Sequence, residues 1–277
     1  MLASRRSQTT AFFVLAFSLA WVLWIPAALG SGSQPSPLAL ALVLIGAFAP
    51  TVAAVLLTGL RSGRVGTTEL LGRLLAWRVG AKWYVSVLLG TVGIGFLTVV
   101  LHALLGGPAP SFSPTVPWFI LPLAFLVNLL FGGALNEEVG WRGYALPRLQ
   151  SEWSALRSSL MLGLLWALWH MPVFFIVGTS QSEMPFIAFA LWVVALSILL
   201  TWVYNGTGGS LLLVTLAHGA VNFTAGSLFP IFPPGVDGTT PFLLYSALFG
   251  VAAIAVVLLT GSENLSRKPR VAETTTT

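Results

Sequence analysis

Residues 185–204 read PFIAFALWVVALSILLTWVY, twenty positions without a single charge. Wound as an α-helix at about 1.5 Å per residue, such a run is about 30 Å long, the thickness of a bilayer's hydrocarbon core. Working outward, seven further runs of the same kind lie near 11–29, 38–58, 82–105, 117–135, 157–177, 210–228 and 241–260. The chain has 277 residues, 56% of them hydrophobic and only 8% charged, which leaves no room for a sizeable soluble domain. The expected fold is all-α, a polytopic membrane helix bundle with about eight transmembrane helices.

The charges provide an independent check on that count. Arg5 and Arg6 precede the first run, and Arg61, Arg64, Arg73, Arg78 and Lys82 lie between the second and third. Arg142, Arg148 and Arg157 lie between the fourth and fifth, and Arg267, Lys268 and Arg270 follow the eighth. The opposite loops carry only Glu183 and Asp237. By the positive-inside rule both termini are expected to be cytoplasmic, which requires an even number of crossings. The pI near 10.2 follows from this asymmetry. Its basic groups suit anchoring against anionic lipid, not binding nucleic acid. The absence of cysteine removes disulfides and thiolate metal sites. The first apolar run, about 19 residues long, exceeds the usual core of a signal peptide and is expected to be retained.

Three regions are expected. Residues 1–110 form N-terminal membrane helices, with an amphipathic cytoplasmic loop near 61–81 where Leu70, Leu71, Leu74, Leu75 and Trp77 alternate with Arg73 and Arg78. Residues 111–260 form a membrane core holding the polar groups, and 261–277 form a disordered cytoplasmic tail. No internal repeat is evident, so the paired halves of many secondary transporters have no support.

Polar groups at membrane depth are costly and usually face a functional cavity. The segment FGGALNEEVGWRGYALPRLQ, residues 131–150, contains three of them. On a helix Glu138 and Arg142 are four apart and can form an ion pair. Glu137 is rotated about 100° from its neighbour and has no such partner. One carboxylate is thus held, and the other is left with a raised pKa, suited to taking a proton from water. His170 lies in WALWHMP with Trp166 four residues before it on the same face, and Pro172 is expected to kink that helix and open space. His218 and Asn222, also four apart, make a polar stripe able to steady a developing negative oxygen. His102, in VVLHALLGG, has no acidic or amide neighbour at helical spacing and is assigned to packing.

At these residues the chain resembles the CPBP family of intramembrane proteases, also called the Abi or CAAX prenyl endopeptidase type 2 family. The family pattern is Glu-Glu-x-x-x-Arg, an aromatic before His, then His-x-x-x-Asn. Here it is carried by Glu137, Glu138 and Arg142, by Trp166 and His170, and by His218 and Asn222, across about 120–230. Trp166 stands where phenylalanine is usual. The resemblance implies peptide-bond hydrolysis, with Glu137 as general base, His170 positioning the water, His218 and Asn222 as the oxyanion site, and Glu138 and Arg142 shaping it. It also carries the name metalloprotease: Glu137, His170 and His218 could hold zinc with a vacant position for water, although a metal-free glutamate mechanism is favoured. The implied partners are the lipid bilayer and a membrane-associated peptide or protein substrate, and the expected location is a bacterial plasma membrane.

Depth poses a difficulty. His170 lies about 20 Å beyond Arg157 along its helix, whereas Glu137 falls just past the inner end of the 117–135 run. A water-filled funnel open to the cytoplasmic side is expected to reconcile them. Two other classes fit intramembrane ionisable groups: a proton-coupled membrane transporter, and a non-catalytic bacteriocin-immunity-type membrane protein.

Overall fold

The computed structural model describes residues 5–108, 110, 117–228 and 238–272. Asp237, residues 111–116 of the Pro-rich loop and the tail from 273 onward lie outside the described residues. Every regular element among those described is helical: α1 (Arg5–Leu29), α2 (Pro37–Gly46), α3 (Ala49–Gly72), α4 (Ala81–Leu104), α5 (Leu121–Phe131), α6 (Ala134–Glu138), a π-helical turn (Val139–Ala145), α7 (Leu146–Gln150), α8 (Ala155–Trp169), α9 (Phe186–Gly206), α10 (Leu211–Leu228) and α11 (Thr239–Thr260). Six stretches are long and apolar enough to cross a bilayer: α1, α2 with α3, α4, α8 with the turn after it, α9 and α11. The apolar α10 is shorter.

The expected fourth crossing is not one helix. α5 has 11 residues, about 16 Å, too short to span. Gly133, at φ 100°, breaks the chain there, and the helix restarts as α6, passes through the π-helical turn and ends with α7. Glu137 therefore does not sit near an inner helix end. Thirteen residues, about 20 Å of helix, separate it from Gln150 at the end of α7. The fifth run also ends early, at Trp169, because Pro172 cannot donate the next helical hydrogen bond. Pro172 thus terminates α8, and the expected kink is a short 3₁₀ turn, Met171–Phe175.

Lipid tails are as apolar as leucine, so close backbone approach and hydrogen bonds hold membrane helices together. A Cβ on Gly163 of α8 would come within 2.9 Å of Val194 Cα in α9. Nearby, Ser197 Oγ donates to the Ser159 carbonyl at 2.8 Å. Beyond the start of α8, Gln150 of α7 and Asn205 of α9 exchange amide hydrogen bonds of 3.1 and 2.7 Å.

That end also holds the tail. Asn205 Nδ2 donates to the Asn264 carbonyl and Gln150 Nε2 to the Val271 carbonyl, while Arg270 Nε donates to the Gln150 carbonyl. Residues 261–272 are therefore packed against the bundle, where they satisfy the buried amides of Gln150 and Asn205. Arg6 pairs with Glu152 at 3.0 Å, so the first and last described segments share this basic end. Within α3 the helical backbone is interrupted at Gly63, φ 59°.

Candidate active site

The break between α5 and α6 creates the site. Gly133 places Glu137 one turn into a new helix, and a Cβ at Gly133 would lie 2.5 Å from Glu137 Oε1. Positive φ and that proximity both demand glycine. Gly133→Ala should therefore displace the carboxylate and remove turnover while the remaining bundle still assembles, as checked by activity beside a thermal melt.

Glu137 is buried but not partnerless. Trp166 Nε1 donates to its Oε2 at 2.5 Å, and Trp141 Nε1 donates to the same oxygen at 3.3 Å. Both indoles meet one oxygen, leaving Oε1 beside Gly133.

Glu138 and Arg142 form the expected ion pair at 2.9 Å, both fully buried. The same carboxylate oxygen, Oε1, lies 2.8 Å from His218 Nδ1, tying α10 to the π-helical segment. Arg142 also lies over the Trp166 ring, 4.5 Å from its centroid. Trp166 is thus the hub: it donates to Glu137, carries Arg142 on its face, and touches His218 edge-on at 5.2 Å between centroids.

His170 caps the end of α8, its Nδ1 2.9 Å from the Trp166 carbonyl. A carbonyl only accepts, so Nδ1 carries the proton, and in the neutral ring Nε2 keeps its lone pair. Asn222 Nδ2 donates to the Gly132 carbonyl at 2.7 Å, which steadies the helix break and leaves a second amide hydrogen.

Glu137, Trp166, His170, His218 and Asn222 all line one cavity of about 280 Å³, walled otherwise by groups such as Phe189, Trp192 and Leu196. Asn128 and Gln181 line it too. A second cavity, of about 190 Å³ against α1 and α2, shares Gly132, Glu137, His170 and Gln181 with the first. His102 is buried away from both, against Gly107.

The first cavity's walls come from the last turn of α8, the first half of α9, the second half of α10 and Ser180–Met184, and no Lys or Arg is among them. Between it and the basic end lie the fully buried Arg142, Leu146 and Gln150. The groups meet because the break at Gly133 starts a new helix that brings Glu137 to the same cavity as His170.

Zinc is the cofactor that Glu137, His170 and His218 left open. Among the described residues no group of three His, Asp or Glu side chains is placed to hold one ion. As placed, these three side chains therefore do not form a shared metal site.

Sequence reasoning missed Trp141, the Gly132-Gly133 pair and Gln181. Trp141 stands four residues after Glu137, the same spacing that revealed Arg142 beside Glu138. Two consecutive glycines within an apolar run were the available sign of the break. Gln181 carried no local signal.

An acid, two imidazoles and a carboxamide gathered within a bundle of spanning helices define a membrane-embedded protein with a hydrolase-like cavity. A family model described as Type II CAAX prenyl endopeptidase Rce1-like matches residues 117–224, which contain every group of the site. The chain is also similar to CAAX prenyl protease 2 of Methanococcus maripaludis, 26% identical over 270 residues, 93% of this chain and 96% of that protein. Residues 117–224 are thus similar to the Rce1-like type II CAAX prenyl endopeptidases, a family of intramembrane endopeptidases.

Proposed function

We propose that this chain hydrolyses a peptide bond of a membrane-associated substrate, with Glu137 as general base. The observation that carries this reading is the convergence of Glu137, His170, His218 and Asn222, from three separate helical segments, on one otherwise apolar cavity. Water held between Glu137 Oε1 and His170 Nε2 gives a proton to the carboxylate and attacks the peptide carbonyl carbon. The carbonyl oxygen becomes an oxyanion and accepts from the second Asn222 amide hydrogen and, when the ring is an imidazolium, from His218 Nε2–H. Glu137 then passes its proton to the leaving amine, the C–N bond breaks, and the carboxylate is restored.

The name of the Methanococcus relative suggests a prenylated peptide. An apolar cavity of about 380 Å³ among α4, α9, α10 and α11 shares Leu196 with the polar one and offers room for a lipid chain next to it. A quenched-peptide panel, farnesylated and bare, should show turnover of the lipidated members at lower KM, with His170→Ala losing activity on all of them. Equal turnover by wild type and His170→Ala would remove the proposed site. A transporter reading gains nothing from the packing, because a carrier needs a path past Arg142, Leu146 and Gln150, all fully buried.

A further inference from the structure

The segment between the His170 turn and α9 is held more firmly than a surface connection requires. Thr179, 8% exposed, shares its hydroxyl hydrogen between the Val173 and Ile176 carbonyls, at 3.0 and 2.8 Å. The same oxygen accepts from the Ser182 backbone N–H at 3.2 Å, and Ser182 Oγ donates to the Thr179 carbonyl at 2.7 Å. The Val177 N–H donates to Ser31 Oγ at 2.9 Å. Gly178, at φ 91°, packs so closely on Pro35 that a Cβ would come within 2.6 Å of it. The 3₁₀ turn Gln181–Glu183 is thereby fixed both to the turn that follows His170 and to the connection between α1 and α2. Groups held in place before a ligand arrives lose less freedom on binding.

Gln181 is what that turn presents to the site. Four residues line both the 280 and the 190 Å³ cavities: Gly132, Glu137, His170 and Gln181. A chain running from one cavity into the other passes between them. Glu137 and His170 are assigned to water, and the Gly132 carbonyl already accepts from Asn222. Gln181 is the remaining side chain at the crossing. Its Oε1 accepts from Ser180 Oγ at 3.1 Å, which leaves both Nε2 hydrogens without a partner among the described residues. Neither cavity is lined by Lys or Arg, so an uncharged acceptor suits this donor better than an anion.

We propose that Gln181 donates to a main-chain carbonyl of the substrate beside the scissile bond, gripping the peptide where it crosses between the cavities. This rests on the hydrolase reading above. Every peptide unit carries such a carbonyl, so the contact fixes the direction and register of the bound chain without selecting its side chains. It is made in the bound ground state and in the transition state alike, so its loss raises KM and leaves kcat nearly unchanged.

The test uses the full-length protein in a neutral detergent with farnesylated quenched peptides. Gln181→Met keeps the length of the side chain without its donor. It should raise KM about three- to tenfold, the worth of one neutral hydrogen bond, with kcat within about twofold. A companion set of peptides carries a thiocarbonyl, a poorer acceptor, at one residue at a time outside the scissile bond. At one position flanking the cut the sulfur should raise KM for wild type and add nothing in Gln181→Met, because the bond it weakens is already gone. A fall in kcat with unchanged KM, or thiocarbonyl penalties equal in both proteins at every position, overturns the proposal. Binding of a fluorescent farnesylated peptide to the Glu137→Gln protein separates this contact from the chemistry. Binding weakened by adding Gln181→Met, together with no turnover by wild type, supports the grip and refutes hydrolysis. Turnover by wild type with binding indifferent to Gln181→Met refutes the grip alone.

Discussion

Glu137→Gln should lower kcat/KM for peptide hydrolysis by about 10²- to 10⁴-fold, the contribution of a positioned general base. The substitution is chosen for what it preserves. A carboxamide oxygen in the place of Oε2 still accepts from Trp166 and Trp141, which donate at 2.5 and 3.3 Å. Volume and packing beside Gly133 are nearly unchanged, and the cost of burying a charge disappears, so the protein should melt at or above the wild-type temperature. Only the capacity to take a proton is removed. Turnover within about threefold of wild type, in protein that melts normally, would show that the base lies elsewhere.

The second large effect concerns stability. Glu138→Ala leaves Arg142 fully buried without its carboxylate and releases His218 from its anchor. Removing one partner of a buried ion pair costs about 3–5 kcal/mol, because the remaining charge keeps its desolvation penalty. The variant should therefore be poorly recovered or melt far below wild type. The double variant Glu138→Leu with Arg142→Met removes both charges and should regain most of the melting temperature, since apolar replacement of a whole buried pair is often neutral. It should stay inactive, because His218 and Trp166 lose the groups that hold them. A double variant no more stable than Glu138→Ala would mean that the pair does not act as a unit.

Both predictions depend on features of unequal legibility. The spanning helices could be read directly, because uninterrupted apolar length is a property of local sequence. The polar contacts at four-residue spacing were also local: Glu138 with Arg142 was drawn, and Glu137 with Trp141 could have been. The depth of Glu137 could not be read that way. Hydropathy treats Asn136 to Arg148 as loop-like, yet nearly all of that segment is buried, because its polar groups find partners on α8 and α10 that lie far away in sequence. The contacts of the tail were equally out of reach of a local reading. Arg270 and Val271 find their hydrogen-bonding partners 120 and more residues earlier in the chain, and no window of sequence contains both.

For the proposed hydrolysis, the two cavities that meet at Gly132, Glu137, His170 and Gln181 have a kinetic consequence. Where water is scarce, a cut peptide held with its new ends together tends to religate. A cleft continuing on both sides of the carboxylate lets the two fragments part in different directions, so severed ends are not held facing each other and the cut is made effectively one-way.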